Sequence, residues 1–251
     1  MSMQDIFQEA CRFGHIAVVK ALLADKRVDP SAENNYAIRW ASRNGYTETV
    51  KALLADKRVD PSAGDNYAIK LASENGHTET VKALLADKRV DPSAGNNEAI
   101  RLTSENGHAE TVKALLADKR VDPSAGDNEA IREASYYGHT ETVKALLADK
   151  RVDPSDDDNY AIRWASRNGY TEIVKALLAD KQVDPNCAIK YASRNGHTET
   201  VKALLADMRV DPTASDNYAI KLASEHGHTE TVKALLADKR VNLLVKRNEN
   251  R

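Results

Sequence analysis

The stretch NGHTETVKALLADKRVD, residues 75–91, decides the fold of this chain because it recurs almost unchanged along the sequence. The tripeptide Val-Asp-Pro that overlaps its end begins at Val28, Val59, Val90, Val121, Val152, Val183 and Val210. Every step is 31 residues except the step from Val183 to Val210, which is 27. A fixed period in this range predicts a solenoid, in which each repeat is stabilised by stacking on its neighbours.

Each repeat is predicted to contain two short helices. The first is expected to begin after Asn66, a favourable N-cap residue, and to end at Gly76, which can adopt the left-handed conformation that stops a helix. The second begins just after this glycine and carries an apolar stripe at i, i+3 and i+4 spacing. Lys88 and Arg89 suit its C-terminal end, and Pro92 prevents its continuation.

The helix-turn-helix unit that carries this stretch resembles the ankyrin repeat, whose turn and second helix read Gly-His-Leu-Glu-Val-Val-Lys-Leu-Leu-Leu. The resemblance implies an all-α, ankyrin-type solenoid of about eight stacked repeats, with an N-terminal capping repeat at 1–27, seven repeats at 28–240 and a C-terminal tail at 241–251. The Thr-Pro-Leu-His box of the family is replaced by NYAIK, NYAIR, NEAIR or NCAIK, so the Asn is expected to cap the first helix instead. Shortened repeats of this kind resemble those abundant in large DNA viruses of protists, which points to a viral source.

Differences between the repeats concentrate at three positions of the first helix, spaced i, i+3 and i+4 and therefore on one face. We call these positions the variable face. Its residues are Glu9, Arg12, Phe13; Trp40, Arg43, Asn44; Leu71, Glu74, Asn75; Leu102, Glu105, Asn106; Glu133, Tyr136, Tyr137; Trp164, Arg167, Asn168; Tyr191, Arg194, Asn195; Leu222, Glu225, His226. The opposite side of the helix keeps Ile38, Ala41 and Gly45 or their equivalents and is predicted to be core. The resemblance implies that the variable face lines a concave binding groove.

The variable face is aromatic and cationic towards its ends, and its centre, with Glu98, Glu105 and Glu129 nearby, is acidic and carries tyrosines. Trp, Tyr and Arg are the side chains most often found at binding hot spots. The predicted partner-binding residues are Arg12, Phe13, Trp40, Arg43, Glu133, Tyr136, Tyr137, Trp164, Arg167, Tyr191 and Arg194. The second helix, by contrast, repeats its exposed Lys and Glu residues, which indicates recent duplication or consensus design.

Composition excludes several classes of function. The formal net charge of −2 does not suit a nucleic-acid partner. No run approaches the roughly 18 apolar residues of a membrane span, and the N-terminal stretch MSMQDIFQEACRFGH has no apolar core of a signal peptide, so a cytoplasmic protein is expected. Cys11 and Cys187 form no motif and are predicted to be free thiols, with the pKa of Cys187 lowered by a helix start.

Other residues that could carry chemistry are given structural roles. Histidines follow the helix-stopping glycine at His15, His77, His108, His139, His197 and His228. They are expected to bond backbone groups of neighbouring repeats rather than a metal, because Tyr46 and Tyr170 occupy the same slot. Asp156, Asp157 and Asp158 lack the distal Glu of a calcium loop and are expected to be solvated. No catalytic motif is present, so the sequence predicts neither an enzyme nor a cofactor or metal site.

The sequence therefore predicts a monomeric protein–protein interaction scaffold, with no nucleic-acid or membrane partner. The alternative is a purely structural or engineered consensus array without a dedicated partner. A four-residue deletion before Asn186 is expected to remove one loop and leave a notch beside the variable face. At the C-terminal end, either Leu243, Leu244 and Val245 fold over the last helices, or that end associates with another molecule.

Overall fold

A computed structural model describes residues 2–241 of the chain. This part contains sixteen α-helices, one short 3-10 helix and no strand, which confirms the predicted all-α fold class. In chain order the α-helices are α1 (Met3–Arg12), α2 (Ile16–Leu23), α3 (Ala32–Arg43), α4 (Thr47–Ala55), α5 (Ala63–Glu74), α6 (Thr78–Leu85), α7 (Ala94–Glu105), α8 (Ala109–Leu116), α9 (Ala125–Tyr137), α10 (Thr140–Leu147), α11 (Asp156–Asn168), α12 (Thr171–Leu178), α13 (Ile189–Arg194), α14 (Thr198–Leu205), α15 (Ala214–Glu225) and α16 (Thr229–Ala237). The 3-10 helix, Pro185–Cys187, lies between α12 and α13.

The chain forms two compact units, Met1–Gly126 and Asp127–Arg251. In the first unit, α1, α3, α5 and α7 contact one another in order, and α2, α4, α6 and α8 form a second row. In the second unit, α11, α13 and α15 form one row, and α10, α12, α14 and α16 form the other. The two helices of a repeat also contact each other, as α5 and α6 do. Each unit is therefore a series of stacked helix pairs, as the period predicts.

The core of each unit is a series of small apolar layers. Ile69 and Ala72 on α5 are buried, as are Val81 and Leu84 on α6. Burying one such Leu or Ile side chain contributes about 1.5–3 kcal/mol, so short helices that are marginal alone become stable when they stack. No helix within residues 2–241 is both long and apolar enough to span a bilayer.

In most repeats the entry into the first helix differs from the prediction. Gly64, Asp65 and Asn66 adopt left-handed backbone angles, with φ of 66°, 61° and 58°. Asn66 therefore does not cap α5, because a capping residue needs an extended backbone. Its Oδ1 instead accepts the backbone N–H of Asp91, in the following repeat, at 2.7 Å. Asn tolerates the left-handed region better than most residues, which explains its presence at this place.

The same Asn-to-backbone bond recurs in both units. It joins Asn35 to Asp60 and Asn97 to Asp122 in the first unit, and Asn128 to Asp153, Asn159 to Asp184 and Asn186 to Asp211 in the second. In the first repeat Gln4 takes this role, because its Oε1 accepts the N–H of Asp29 at 2.9 Å. The Asn side chain that was predicted to cap a helix therefore forms a hydrogen bond between repeats instead.

A second kind of bond between repeats is made by an Arg that recurs two residues after an Asp. Arg89 lies beyond the end of α6 rather than in its last turn, and it forms an ion pair with Asp87 at 2.6 Å. Its guanidinium donates to the carbonyl oxygen of Leu54, in the last turn of the preceding repeat's α4, and to that of Val59, both at 2.8 Å. Arg58, Arg120, Arg209 and Arg240 make equivalent bonds. The second helix of one repeat is thus capped at its C-terminal end by the next repeat.

Replacing Arg89 with alanine is expected to lower the free energy of unfolding by about 1–2 kcal/mol, because two carbonyl groups lose a charged donor. Arg27→Ala is the matched control: Arg27 pairs with Asp25 in the same way, but within residues 2–241 it donates to no carbonyl group of another repeat. This control loses only its Asp–Arg pair, so it should lower the midpoint of urea unfolding, followed by circular dichroism, by less than Arg89→Ala does. Equal effects of the two substitutions would show that the bonds between repeats contribute nothing.

Stability is also expected to fall in acid. The hydrogen bond from Arg89 is the main cause that holds the pKa of Asp87 below its usual value of 3.8, and the equivalent bond from Arg27 lowers the pKa of Asp25 to about 2. Asp56, Asp118, Asp149, Asp207 and Asp238 are shifted in the same direction. A carboxyl group with a depressed folded-state pKa contributes stability above its unfolded pKa, and this is lost as pH falls through the folded pKa. The urea midpoint should hold from about pH 7 to 5 and fall between about pH 4 and 2; a midpoint unchanged near pH 2 would contradict this.

The shortened repeat replaces the left-handed turn with the 3-10 helix Pro185–Cys187. The Asp184 side chain accepts the backbone N–H of Asn186 at its start. The prediction of a lowered thiol pKa at Cys187 is wrong: burial, as the main cause, raises its pKa to about 11, because a buried thiolate loses its hydration. Both Cys11 and Cys187 are free, as predicted. The predicted fates of Leu243, Leu244 and Val245 lie outside the described residues.

Candidate functional site

The variable face is accessible in both units. Its side chains are exposed or half-buried in residues 2–241, except for Leu71 and Leu222, which are buried. Phe13 and Tyr137 are the most open of its aromatic residues, at 53% and 47% exposure. Ile38 on the opposite side of the helix is fully buried, and the equivalent residues of the other repeats are buried or nearly so. The i, i+3, i+4 spacing therefore correctly separated the accessible side of these helices from the core.

In the first unit, the predicted site residues gather around one indole ring. The Arg12 guanidinium lies 5.2 Å from the centroid of the Trp40 ring, and that of Arg43 lies 5.0 Å from it. Arg12 also lies 5.6 Å from the centroid of the ring of Phe13, the residue that follows α1. Cation–π contacts of this kind hold both the ring and the arginines in place. The four residues form a preordered cationic and aromatic cluster.

The predicted acidic centre is not an open negative surface in the first unit. Glu98 lies 2.9 Å from Lys70 and 3.6 Å from Arg101, and Arg101 also contacts Glu105 at 3.4 Å. Lys70 makes a second ion pair with Asp65 at 2.7 Å and is itself buried. Arg101 neutralises these carboxylates from within α7, whereas Lys70 does so from the preceding repeat, which the sequence did not reveal.

In the second unit, the aromatic residues form a continuous group on α9 and α11. The Tyr136 ring contacts the rings of Tyr137 and Trp164, each with centroids 4.9 Å apart and in edge-on geometry. The Tyr160 ring lies 5.7 Å from that of Trp164, and the Arg167 guanidinium lies 4.6 Å from the Trp164 centroid. Edge-on aromatic pairs add roughly 0.5–1.5 kcal/mol beyond area burial, so these side chains are held rigidly. Glu133 lies on the same face of α9.

Between α11 and α13 this face opens into two adjoining clefts. The first, of about 200 Å³, is lined by Arg163, Trp164, Arg167 and Tyr191. The second, of about 170 Å³, is lined by Arg167, Tyr191, Arg194 and Asn195. Arg163 was not among the predicted site residues, since it lies one position before the variable face. Its charge nevertheless adds to the cationic end that the sequence predicts for this face.

In four repeats the turn between the two helices is built as predicted. The Nε2 atom of His77 lies 2.9 Å from the carbonyl oxygen of Arg43, and that of His108 lies 3.0 Å from the carbonyl oxygen of Glu74. His197 and His228 make the same contact in the second unit. Each histidine therefore bonds the backbone of the preceding repeat.

No group of three or more His, Cys, Asp or Glu side chains in residues 2–241 is arranged to hold a metal ion. In the acidic stretch at the start of α11, Asp156 accepts a hydrogen bond from Asn128 at 2.8 Å, and Asp157 lies 3.6 Å from Arg132. Asp158 is exposed. The stretch has a structural role in linking repeats.

Comparison with curated proteins gives no match to this chain. A family model described as "Ankyrin repeats (3 copies)" matches residues 6–96, 69–158, 99–188 and 162–247, which together span most of the sequence. Ankyrin repeats generally serve as protein-interaction scaffolds and are typically not enzymes. With its stacked helix pairs, left-handed glycine turns and family match, the chain belongs to the ankyrin repeat family.

Proposed function

We propose that this protein is an interaction scaffold that binds another protein on its variable face. The observation that carries the proposal is the contrast between the two helices of each repeat. The second helix repeats the same exposed Glu–Lys pair, as in Glu79 with Lys82 and Glu141 with Lys144. The first helix instead varies, because its three variable-face positions carry six different combinations of side chains among the eight repeats.

The geometry of the aromatic residues supports a role in binding a partner, rather than one in which they only cover the stacked helices. Trp40 and Trp164 are half-buried, and guanidinium groups hold one side of each ring. A side chain that is already ordered loses little conformational entropy when a partner contacts it. Phe13 and Tyr137 keep about half of their surface open. A partner would therefore meet large, rigid apolar surfaces surrounded by arginines, which is the composition of a binding hot spot.

The repeats supply substitutions that test the proposal with little risk to folding. Trp40→Leu/Arg43→Glu gives α3 the residues that Leu71 and Glu74 provide on α5. Tyr136→Glu/Tyr137→Asn gives α9 the residues of Glu105 and Asn106 on α7. Each variant removes only the distinctive side chains, because its replacements already occur at the same repeat position.

The experiment is affinity capture from a lysate of the source cells, with parent and variant chains immobilised at equal amounts. At least one variable-face variant is expected to lose a captured protein by about tenfold or more, as hot-spot residues do when they are replaced. Lys82→Ala and Lys144→Ala, on the exposed side of second helices, are the controls and should capture as the parent does. Equal capture by all variants would exclude the variable face as the binding surface.

A further inference from the structure

The clefts between α11 and α13 are lined by positive charges without carboxylate partners. Arg163, Arg167 and Arg194 line them, and Lys190 lies beside them, 5.1 Å from the centroid of the Tyr191 ring. Within residues 2–241 none of these four side chains is in an ion pair. The Nε of Arg163 is also buried without a hydrogen-bond partner. A concave surface of this kind attracts an anion that the chain itself does not supply.

The shortened loop explains why Lys190 is unpaired. Lys70 and Lys221 occupy the same repeat position, and each pairs with an aspartate of its own loop, Asp65 at 2.7 Å and Asp216 at 2.5 Å. The four-residue deletion before Asn186 removes the equivalent aspartate from this repeat. The predicted notch beside the variable face therefore has a chemical consequence: Lys190, next to the arginines, has no ion-pair partner within residues 2–241.

The walls of the clefts are aromatic as well as cationic. Trp164 and Tyr191 lie between the arginines, and both are half-buried. Apolar or aromatic groups pack on such rings, while guanidinium groups bind carboxylates through charge-assisted hydrogen bonds. The site thus suits a ligand in which carboxylates stand next to an apolar group.

Acidic residues bound the cationic site on both sides. Glu133 on α9 and Glu225 on α15 occupy the variable face of the adjoining repeats. A long polyanion lying along the row of first helices would be repelled by these carboxylates. A short acidic segment avoids this repulsion, because it contacts only α11 and α13. The formal net charge of −2 also disfavours a nucleic acid.

We propose that these clefts bind an acidic peptide segment of a partner protein, in which carboxylate side chains flank an apolar or aromatic residue. The proposal rests on the proposed function, because it assigns a chemical class to the partner of the variable face in the second unit. The carboxylates contact Arg163, Arg167 and Arg194. The apolar residue packs on Trp164 and Tyr191.

The first unit contains a natural comparison. Residues 35–48 and 159–172 share the identical sequence NYAIRWASRNGYTE, and the first difference, Thr49 against Ile173, lies just beyond it. The next first helix differs, because α5 presents Leu71 and Glu74 where α13 presents Tyr191 and Arg194. Trp40 and Trp164 are therefore near-identical reporters with different neighbours.

The test is a titration of the native chain with the synthetic peptide Gly-Glu-Glu-Phe-Glu-Glu-Gly, followed by the indole N–H signals in a nitrogen-15 NMR spectrum. The chain has two tryptophans, so each unit contributes one signal. The Trp164 signal is expected to shift in a saturable way and the Trp40 signal to shift less. A peptide with Lys in place of every Glu should have no effect, and added salt should weaken binding.

The double variant Tyr191→Leu/Arg194→Glu converts residues 190–196 into KLASENG, the sequence of residues 70–76, so folding should be retained. It is expected to weaken the Trp164 response by about tenfold, because it removes one aromatic wall and reverses one charge. No response of Trp164 in the parent, equal responses of both tryptophans, or full binding by the variant would overturn the proposal. Displacement of the peptide by a lower concentration of single-stranded oligothymidylate would overturn it in favour of a nucleic acid.

The two proposals fail separately. If the peptide does not bind but variable-face variants still lose a captured protein, only the acidic chemistry of the ligand is wrong. If the peptide shifts Trp164 while capture is the same for every variant, the clefts bind carboxylates but the variable face is not the surface that holds the captured protein.

Discussion

Gly76→Ala is expected to lower the free energy of unfolding by about 3–4 kcal/mol. Gly76 has a φ of +71°, which costs alanine about 1 kcal/mol. A Cβ atom would also lie 2.5 Å from Nδ1 of the His108 ring, which is held against the turn by its bond to the carbonyl oxygen of Glu74. The ring cannot move aside without losing that bond, so the clash adds a further cost. The midpoint of urea unfolding reports the sum of the backbone cost and the steric cost.

Gly227→Ala separates the two contributions. Gly227 has almost the same φ, +73°, but no atom of residues 2–241 lies within 4 Å of the position that its Cβ would occupy. This variant should show only the backbone cost of about 1 kcal/mol. If the two substitutions were equally harmful, the contact between the glycine and the histidine of the next repeat would have no role in stability.

Asn97→Ala is expected to cost about 2–3 kcal/mol. The Oδ1 atom of Asn97 accepts the backbone N–H of Asp122 at 2.7 Å, and its removal leaves that N–H without its partner in a partly buried place. Alanine is also less tolerant than asparagine of the left-handed angles at this residue, φ 60° and ψ 36°. The loss should appear in urea unfolding as a lower midpoint.

Asn217 offers the control for this bond, since its backbone angles are also φ 60° and ψ 36°. Its buried Oδ1 has no hydrogen-bond partner in the described part of the chain. Asn217→Ala should therefore show the backbone cost and little more. A loss as large as that of Asn97→Ala would mean that the side-chain bond between repeats is not what stabilises this position.

The sequence predicted the helix pairs well because their signals are local. Gly76 stops α5 and Thr78 begins α6, as expected, since both depend on neighbouring residues alone. Asn66 was misinterpreted for the opposite reason. Its partner, Asp91, lies 25 residues away, and a residue that recurs in seven repeats does not reveal whether it bonds its own helix or the next repeat. Arg89 was assigned to its own helix end by the same error.

The accessible side of the first helices was predictable from spacing, but the shape of the surface was not. The i, i+3, i+4 rule placed Arg167 and Arg194 on one side without showing that Arg163 and Tyr191 complete clefts with them. The pairing of Glu98 with Lys70 was also invisible, because it joins two repeats and depends on side-chain reach. The deletion before Asn186 is visible in the sequence. That it leaves Lys190 without an aspartate partner becomes apparent only when the structure is compared at Lys70 and Lys221, which are paired.

The most direct test of the central claim is oxidative footprinting of the parent chain, alone and with its captured protein bound. In at least one unit, the oxidation rates of the variable-face aromatic residues, Phe13 with Trp40 or Tyr137 with Trp164, are expected to fall when the partner binds. Met208, which is 83% exposed in the loop after α14, is the internal control and should react at the same rate in both samples. Protection of Met208, with no change at any of the four aromatic residues, would contradict binding on the variable face.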